Sequence, residues 1–309
     1  MTSESSMSRA YAPFHPRRPP FGVQQRRILC ANDFSRHSDR AVNAAAVLAN
    51  RLGAQLTLLH VAPTHRAGSS VAAAHERLRA HLKGAGLSLD SIPVLAIREG
   101  DVAKAIAQVA KEGAADLIVL GTQSKRALAP VLGTTAERVI ARANCPVLIV
   151  RSRGTLRYKN VVVAAALERS FRSVVGFANR WSLLDAPVVS VVHGFSSPYQ
   201  GPLYAEGYDV AAARRHIETW KRVASAQLQD MLRMEKVDGP RLDVRVEERR
   251  PLAVVRRALA RGNRRSLVIL GTSAHNALTR IVRGSLVNDV LLNFDCDVLI
   301  CPYKGRVIH

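Results

Sequence analysis

Apolar and polar positions along this chain follow two periods. Short apolar runs recur, and between them lie stretches whose apolar residues return at helical spacing. In the first half the runs Arg27–Ala31, Leu56–Val61, Ile92–Ile97, Leu117–Leu120 and Val147–Val150 are expected as strands. Helices are expected over Ser38–Leu52, Val71–Leu82, Val102–Lys111 and about Thr135–Ala143. Within Ser38–Leu52, residues Ala41, Val42, Ala45, Leu48 and Leu52 share one face, and Gly53 stands where a helix-terminating glycine belongs. The strand segments are almost continuously apolar, as in a parallel sheet covered on both faces.

The pattern then repeats. Leu117-Ile118-Val119-Leu120-Gly121-Thr122 returns as Leu267-Val268-Ile269-Leu270-Gly271-Thr272, and Cys145-Pro146-Val147-Leu148-Ile149-Val150 as Cys296-Asp297-Val298-Leu299-Ile300-Cys301. The offsets are 150 and 151 positions, too long for a solenoid unit and right for a duplicated domain. Strands are expected at Asn160–Ala164, Val188–Val192, Leu242–Val246, Leu267–Leu270 and Val298–Cys301, with a long helix over Val210–Arg233. An insertion rich in Gly, Pro and Tyr, Gly194–Tyr208, precedes that helix. The organisation read from the sequence is a disordered basic arm (1–25), a first domain (26–151), a linker (152–159), a second domain (160–303) and a tail (304–309). Each domain is expected to be α/β and doubly wound, Rossmann-like with strand order 3-2-1-4-5 and a five-stranded, mainly parallel sheet.

Composition narrows the class. The chain has 309 residues, 48% of them apolar, 4 cysteines and a formal charge of +21. No run is long enough for a membrane helix, no secretory signal is visible, and four cysteines are too few for a disulfide scaffold, so a cytoplasmic protein with no transmembrane segment is expected. The arm carries +2, residues 26–151 carry +8 and residues 152–309 carry +11. Much of the last excess is in Arg249-Arg250, Arg256-Arg257, Arg261 and Arg264-Arg265. This arginine cluster reads either as a solvated face or as a surface for an acidic protein or for nonspecific nucleic-acid contact. No aromatic residues interleave with it to stack bases.

In a doubly wound sheet, ligands bind beyond the carboxyl ends of strands where the strand order reverses, here between strands one and four. After strand one comes Asn32-Asp33-Phe34-Ser35; after strand four comes Gly121-Thr122-Gln123-Ser124, then eight intervening residues, then Gly133-Thr134-Thr135. Glycines admit backbone N–H groups to phosphates, and a helix start adds donors and partial positive charge. Asp33 suits a ribose hydroxyl, and Lys125 and Arg126 suit phosphate. The same residues also have purely structural readings: Asp33 as a helix cap, Gly121 as a strand end, Thr134 with Glu137 as a capping box. Phosphate-loop, dinucleotide and nucleophile-elbow motifs are absent from the sequence. His75-Glu76 lacks the second histidine of a zinc helix, Glu247-Glu248 point apart on a strand, and the four cysteines read as small apolar residues at strand positions. No catalytic residue and no metal ligand set is assigned, so a binding module is favoured over an enzyme, with slow nucleotide hydrolysis left open.

Taken together, Ile28–Ser35, Leu56–Val61, Ala115–Thr122 and Cys145–Val150 resemble the universal stress proteins in their tandem form, over nearly the whole chain from Arg26 to about Pro302. The resemblance implies an open five-stranded α/β fold and pairing of domains through the last strand, here within one chain or in a homodimer. Its ATP-binding members carry G-x-x-G, nine residues, then G-[S/T]. In the first half Gly121, Gly133 and Thr134 match, Ser124 replaces the second glycine and the spacer is one residue short. Asn32, Asp33, Val61 and Thr135 complete the implied nucleotide set, with Val61 on the adenine side. In the second half Gly271, Gly284 and Ser285 match, Ala274 replaces the second glycine, and Ala166 stands where the first half has Asp33. The expectation is ATP or a related adenine nucleotide in the first domain, with Mg bridging its phosphates, and a degenerate second site. The alternative is a scaffold without nucleotide whose arginine-rich face meets an acidic partner.

Overall fold

A computed structural model describes residues 25–62, 71–84, 94–122, 135–152, 156–168, 170–196, 210–237, 242–261, 265–273 and 285–303. The first half runs β1 (Arg27–Ala31), α1 (Arg36–Leu52), β2 (Gln55–Ala62), α2 (Val71–Gly84), β3 (Val94–Glu99), α3 (Val102–Glu112), β4 (Leu117–Gly121), α4 (Thr135–Arg142) and β5 (Val147–Val150). The second half repeats this as β6 (Asn160–Ala164), α5 (Ser170–Arg180), β7 (Val188–Gly194), α6 (Val210–Met234), β8 (Leu242–Glu247), α7 (Pro251–Ala260), β9 (Ser266–Ser273), α8 (Leu286–Asn293) and β10 (Asp297–Tyr303). Strands β1, β5 and β6 coincide with their expected bounds. The third strand lies two residues later than expected, and α1 begins at Arg36 because the Ser35 hydroxyl accepts from Ser38 N and caps it. Gly53 closes α1 at φ 60°, where a side chain would be strained. The expected arm and tail fall outside the described residues, apart from Gln25.

Each half has the order 3-2-1-4-5, but the two do not form separate sheets. They join in one ten-stranded sheet, β3-β2-β1-β4-β5-β10-β9-β6-β7-β8. Neighbours within each half are parallel; β5 and β10 meet antiparallel, with Val298 opposite Ile149, Leu299 opposite Leu148 and Ile300 opposite Val147. The last strand of each half would otherwise be an apolar edge with unpaired amides. Pairing makes both strands central, and Val147–Val150 and Val298–Ile300 are buried throughout. One face of the sheet packs α1, α2, α5 and α6 and the other packs α3, α4, α7 and α8, so each apolar layer contains residues of both halves.

The junction contains a fully buried carboxylate, Asp297. Its Oδ1 accepts from the backbone N–H of Arg151 and of Ser152, each at 2.8 Å; its Oδ2 accepts from Ser152 Oγ at 2.7 Å and Tyr158 OH at 2.9 Å. The Arg151 guanidinium is also buried and donates to Phe294 O at 2.6 Å and Leu291 O at 2.9 Å, at the end of α8. Burial, with Asp297 alongside, holds the Tyr158 hydroxyl protonated well above its ordinary range. The carboxylate thus ties the segment leaving β5 to the start of β10. Among the described residues no helix is long and apolar enough to cross a membrane.

All four cysteines are free thiols. Cys30 and Cys301 lie on strands; Cys145 and Cys296 sit in the turns before β5 and β10, which corrects the strand placement expected for them. Cys296 and Cys301 pack into opposite layers. Burial pushes Cys145 and Cys296 up to about 12, with Asp116 adding at Cys145, and pushes Cys30 and Cys301 higher.

Two outcomes are expected. Asp297→Ala leaves four donors without an acceptor and lowers unfolding free energy by about 3 kcal/mol or more in urea titrations, against about 1–2 for Tyr158→Phe. For the thiols, an unfolded chain ionises near the ordinary 9.0 while the folded one resists it. Their contribution to stability is therefore intact below that pH and is lost as pH rises from about 9 toward 12. Urea midpoints should fall over that window, and a thiol reagent at neutral pH should read the buried Cys30, Cys296 and Cys301 only after unfolding.

Candidate functional site

The exit of β1 is a tight, hydrogen-bonded turn. Asn32 N donates to Leu59 O at 2.8 Å, Phe34 N to Asn32 Oδ1 at 2.8 Å and Ser35 N to Asp33 Oδ1 at 3.0 Å. Phe34 takes φ 63°, uncommon for a bulky residue. Its ring centroid lies 4.4 Å from that of His60 and 5.4 Å from that of His81, whose Nε2 is 2.5 Å from Asp39 Oδ1. His60 Nδ1 donates to Asn32 O at 2.9 Å, which joins the ends of β1 and β2. Asn32 is buried, and its Nδ2 has no hydrogen-bond partner among the described residues. Asp33 is exposed. Partial desolvation raises its pKa, but hydrogen bonds from Ser35 and Ser38 outweigh this and hold its carboxyl below the ordinary value. The cap of α1 is Ser35, not Asp33, so Asp33 keeps a free edge toward solvent.

The remaining first-half residues divide. Val61 ends the buried stretch of β2 and packs in the core. Gly121 ends β4 against the first turn of α1, where a Cβ would collide with the His37 carbonyl. That close approach explains the glycine without a ligand. Thr135 opens α4 and is exposed. Ser124, Gly133 and Thr134, with Lys125 and Arg126, lie outside the described residues.

The second half uses the same clamp with other side chains. His193 Nδ1 donates to Ala165 O at 2.8 Å, as His60 does to Asn32 O. This places Ala165 opposite Asn32, Ala166 opposite Asp33 and Glu168 opposite Ser35. Gly271 is much less crowded than Gly121, since a Cβ would meet only Val174 Cγ2 at 3.1 Å. Ser285 caps α8 by accepting from Asn288 N at 3.2 Å. Ala274 and Gly284 lie outside the described residues. A cavity of about 310 Å³ opens at the carboxyl ends of β6, β7 and β9, beside the starts of α5, α7 and α8. Sequence reasoning missed Glu168, Thr272 and the two histidines, although a histidine near the end of the second strand of each half was a readable signal.

Among the described residues no group of three His, Cys, Asp or Glu side chains is arranged to hold a metal ion. Part of the arginine cluster is paired: Arg257 Nη1 lies 2.9 Å and Arg249 Nε 3.6 Å from Glu247 Oε2, and Arg256 stands 6.0 Å over the Phe294 ring. Arg261 is the C-cap of α7. Arg264 lies outside the described residues, and Arg250, Arg261 and Arg265 are exposed.

The two strand-end glycines should respond differently. Gly121→Ala forces α1 away from β4 and is expected to lower unfolding free energy by about 2–3 kcal/mol. Gly271→Ala displaces one valine methyl and should lose less than about 1 kcal/mol. Thermal or urea unfolding of the two variants checks the contrast.

A model of the Universal stress protein family matches twice, over residues 25–151 and 157–302. A universal stress protein of Thermus aquaticus is 34% identical over 133 residues, which is 40% of this chain and 97% of that one. Universal stress protein G of Shigella flexneri is 32% identical over 127 residues, 37% of this chain and 89% of that one. The crystal structure of a universal stress protein from Archaeoglobus fulgidus DSM 4304 superposes with a TM-score of 0.65 over 91% of this chain and 99% of that one, at 15% identity. The duplicated α/β unit, the junction through the last strands and the two family matches together make this chain a tandem member of the universal stress protein family.

Proposed function

We propose that the protein is a stress-response regulatory module whose first half binds ATP or a related adenine nucleotide in the crevice between β1 and β4. The observation that carries this reading is the pair at the β1 exit. Asn32 holds a buried amide nitrogen without a partner among the described residues, and Asp33 presents an exposed, readily ionised carboxylate beside it. A buried polar atom without a partner is uncommon and calls for an explanation; a ligand acceptor at this turn supplies one. Asp33 accepts from a ribose hydroxyl, Val61 borders the base, and Gly121, Ser124, Gly133, Thr134 and Thr135 form the phosphate side. In this reading Mg accompanies the phosphates.

With it go a cytoplasmic location and a binding role, slow nucleotide hydrolysis being left open. The 1–25 arm, the 26–151 and 160–303 domains, the linker and the tail are kept as the domain organisation. A homodimer would have to use surfaces other than the β5 and β10 edges, because these are already paired within the chain. A second reading rests on Arg249-Arg250 at the start of α7, a helix with no acidic residue in its first turn. Positive side chains at a helix N-terminus are unfavourable, and an acidic protein docked there would relieve them, with nonspecific nucleic-acid contact as a weaker form of the same attraction.

Calorimetric titration of the full chain with ATP and Mg tests the first reading. Wild type should give binding heat, and Asp33→Ala should bind about tenfold or more weakly, the scale of one hydrogen bond to a charged acceptor. No heat with wild type, or equal affinity in both, sinks it. Because the Asp33 pKa is lowered, the Asp33-dependent affinity should persist on acidification to below the ordinary carboxylate value of 3.8, wherever the chain stays folded.

A further inference from the structure

The second helix of the second half outgrows its counterpart, with 25 residues in α6 against 14 in α2. Ala224, Leu228 and Leu232 bury one face of α6. Its C-terminal end is fixed against α5. Arg172 donates through Nε and Nη2 to Glu235 Oε1 at 3.1 and 3.0 Å, and Asn179 Nδ2 donates to Glu235 O at 3.0 Å. Gly176 faces the same carboxylate, and a Cβ there would collide with it. Beside this anchor an open groove of about 530 Å³ runs along α6. Val223, Ala226, Gln227, Asp230, Met231 and Met234 line it, with Arg172 at its α5 side. Val223 and Met234 are 61% and 62% exposed, the most exposed large apolar side chains among the described residues. Single exposed apolar residues are ordinary. Two in one groove, with Ala226 and the partly buried Met231 between them, make a patch. Methionine adapts its shape to whatever covers it.

Charge selects what covers the patch. On a chain of +21 the groove is locally neutral. Its cation, Arg172, is held by Glu235, and its anion, Asp230, lies 3.0 Å from Arg233. An acidic partner finds no unpaired cation there, and a basic partner no unpaired anion. The surface that fits is apolar, adaptable and neutral, like the groove itself. A second copy supplies one. When two α6 helices run antiparallel about a two-fold axis, one register matches the lining with itself. Val223 of each copy faces Met234 of the other, Ala226 faces Met231, and Gln227 faces Asp230. The first two pairs set a small apolar side chain against a long one. In the third the Gln227 amide donates to the Asp230 carboxylate. Symmetry makes every pair twice, as a self-complementary interface requires. The seam from Val223 to Met234 is about 16 Å of helix. The apolar strand edges at β5 and β10 are already paired within the chain, so a copy has to approach over helices.

We propose that the α6 groove is the surface through which two copies of this chain associate into a two-fold dimer, α6 lying antiparallel to α6 of the other copy. The contact uses neither strand-end crevice, so it is independent of the nucleotide reading and is measured without nucleotide. Sedimentation equilibrium of the full chain over a range of concentrations tests it. The mass should rise with concentration and level off at twice that of one chain, because a two-fold contact closes on itself. Added salt should strengthen the dimer, since it screens the repulsion between two chains of +21 and the seam itself is neutral. Val223→Glu and Met234→Lys, taken singly, should each weaken association about tenfold or more, by setting a charge against an apolar side chain. Both positions are exposed, so urea midpoints should stay at the wild-type value. The double variant sets opposite charges face to face at both ends of the seam and should recover association, which a merely damaged groove would not do. A chain that stays monomeric up to about 1 mM overturns the proposal. So does growth beyond two copies, a dimer that salt weakens, association untouched by the single variants, or a double variant no better than either of them.

Discussion

The antiparallel seam between β5 and β10 is the constraint on which the rest of this molecule depends. Two five-stranded units each end in a strand of four or more apolar residues, and each such strand would be an adhesive edge alone. Pairing them in one chain closes both edges together and merges the apolar layers on each face of the sheet. Asp297 then secures the seam from within. Its four hydrogen bonds are donated by Arg151, Ser152 and Tyr158, so the segment that leaves β5 is held against the strand that ends the second half. A buried carboxylate is tolerable only when its acceptor capacity is filled in this way. The first half has Pro146 at the repeat-equivalent position, which makes the lock a property of the second copy alone.

Once the halves are locked, they are free to differ at their strand ends. The histidine clamp is kept in both, since it fixes how the first strand turns into its helix. The side chains displayed by the turn are not kept. The first half pairs an exposed acid with a close helix–strand contact at Gly121; the second has Ala166, a less crowded Gly271 and an open cavity with Glu168 on its wall. One scaffold thus carries two strand-end turns with different side chains.

The charge of +21 is distributed in keeping with this division. It does not form a base-stacking face, and several arginines of the second half are engaged locally, two by Glu247 and one by Phe294. The arginines before α7 stand at a helix start, where they oppose the helix dipole and border the second cavity through Pro251. Their effect is more local than the total suggests.

Much of the fold was legible in the residues alone. The alternation of apolar runs with helical spacing set strands such as Arg27–Ala31, Val147–Val150 and Asn160–Ala164 to the residue, because burial on both faces leaves a continuous apolar signature. The repeat showed two copies, and Asp33 stood out as an acid after a strand. Where Gly121 is required, and that Gly271 is not similarly confined, was not legible, since both are strand-end glycines until α1 is seen to pass against one of them. Nor was the place of Glu168 at the cavity wall, since its equivalence to Ser35 appears only when the two histidines are seen gripping the equivalent carbonyl in each half. Local pattern determines which residues pair with the solvent and which with the core. Which side chains share a crevice, and which carboxylate locks a seam 146 positions away along the chain, is decided only when the sheet brings distant segments together.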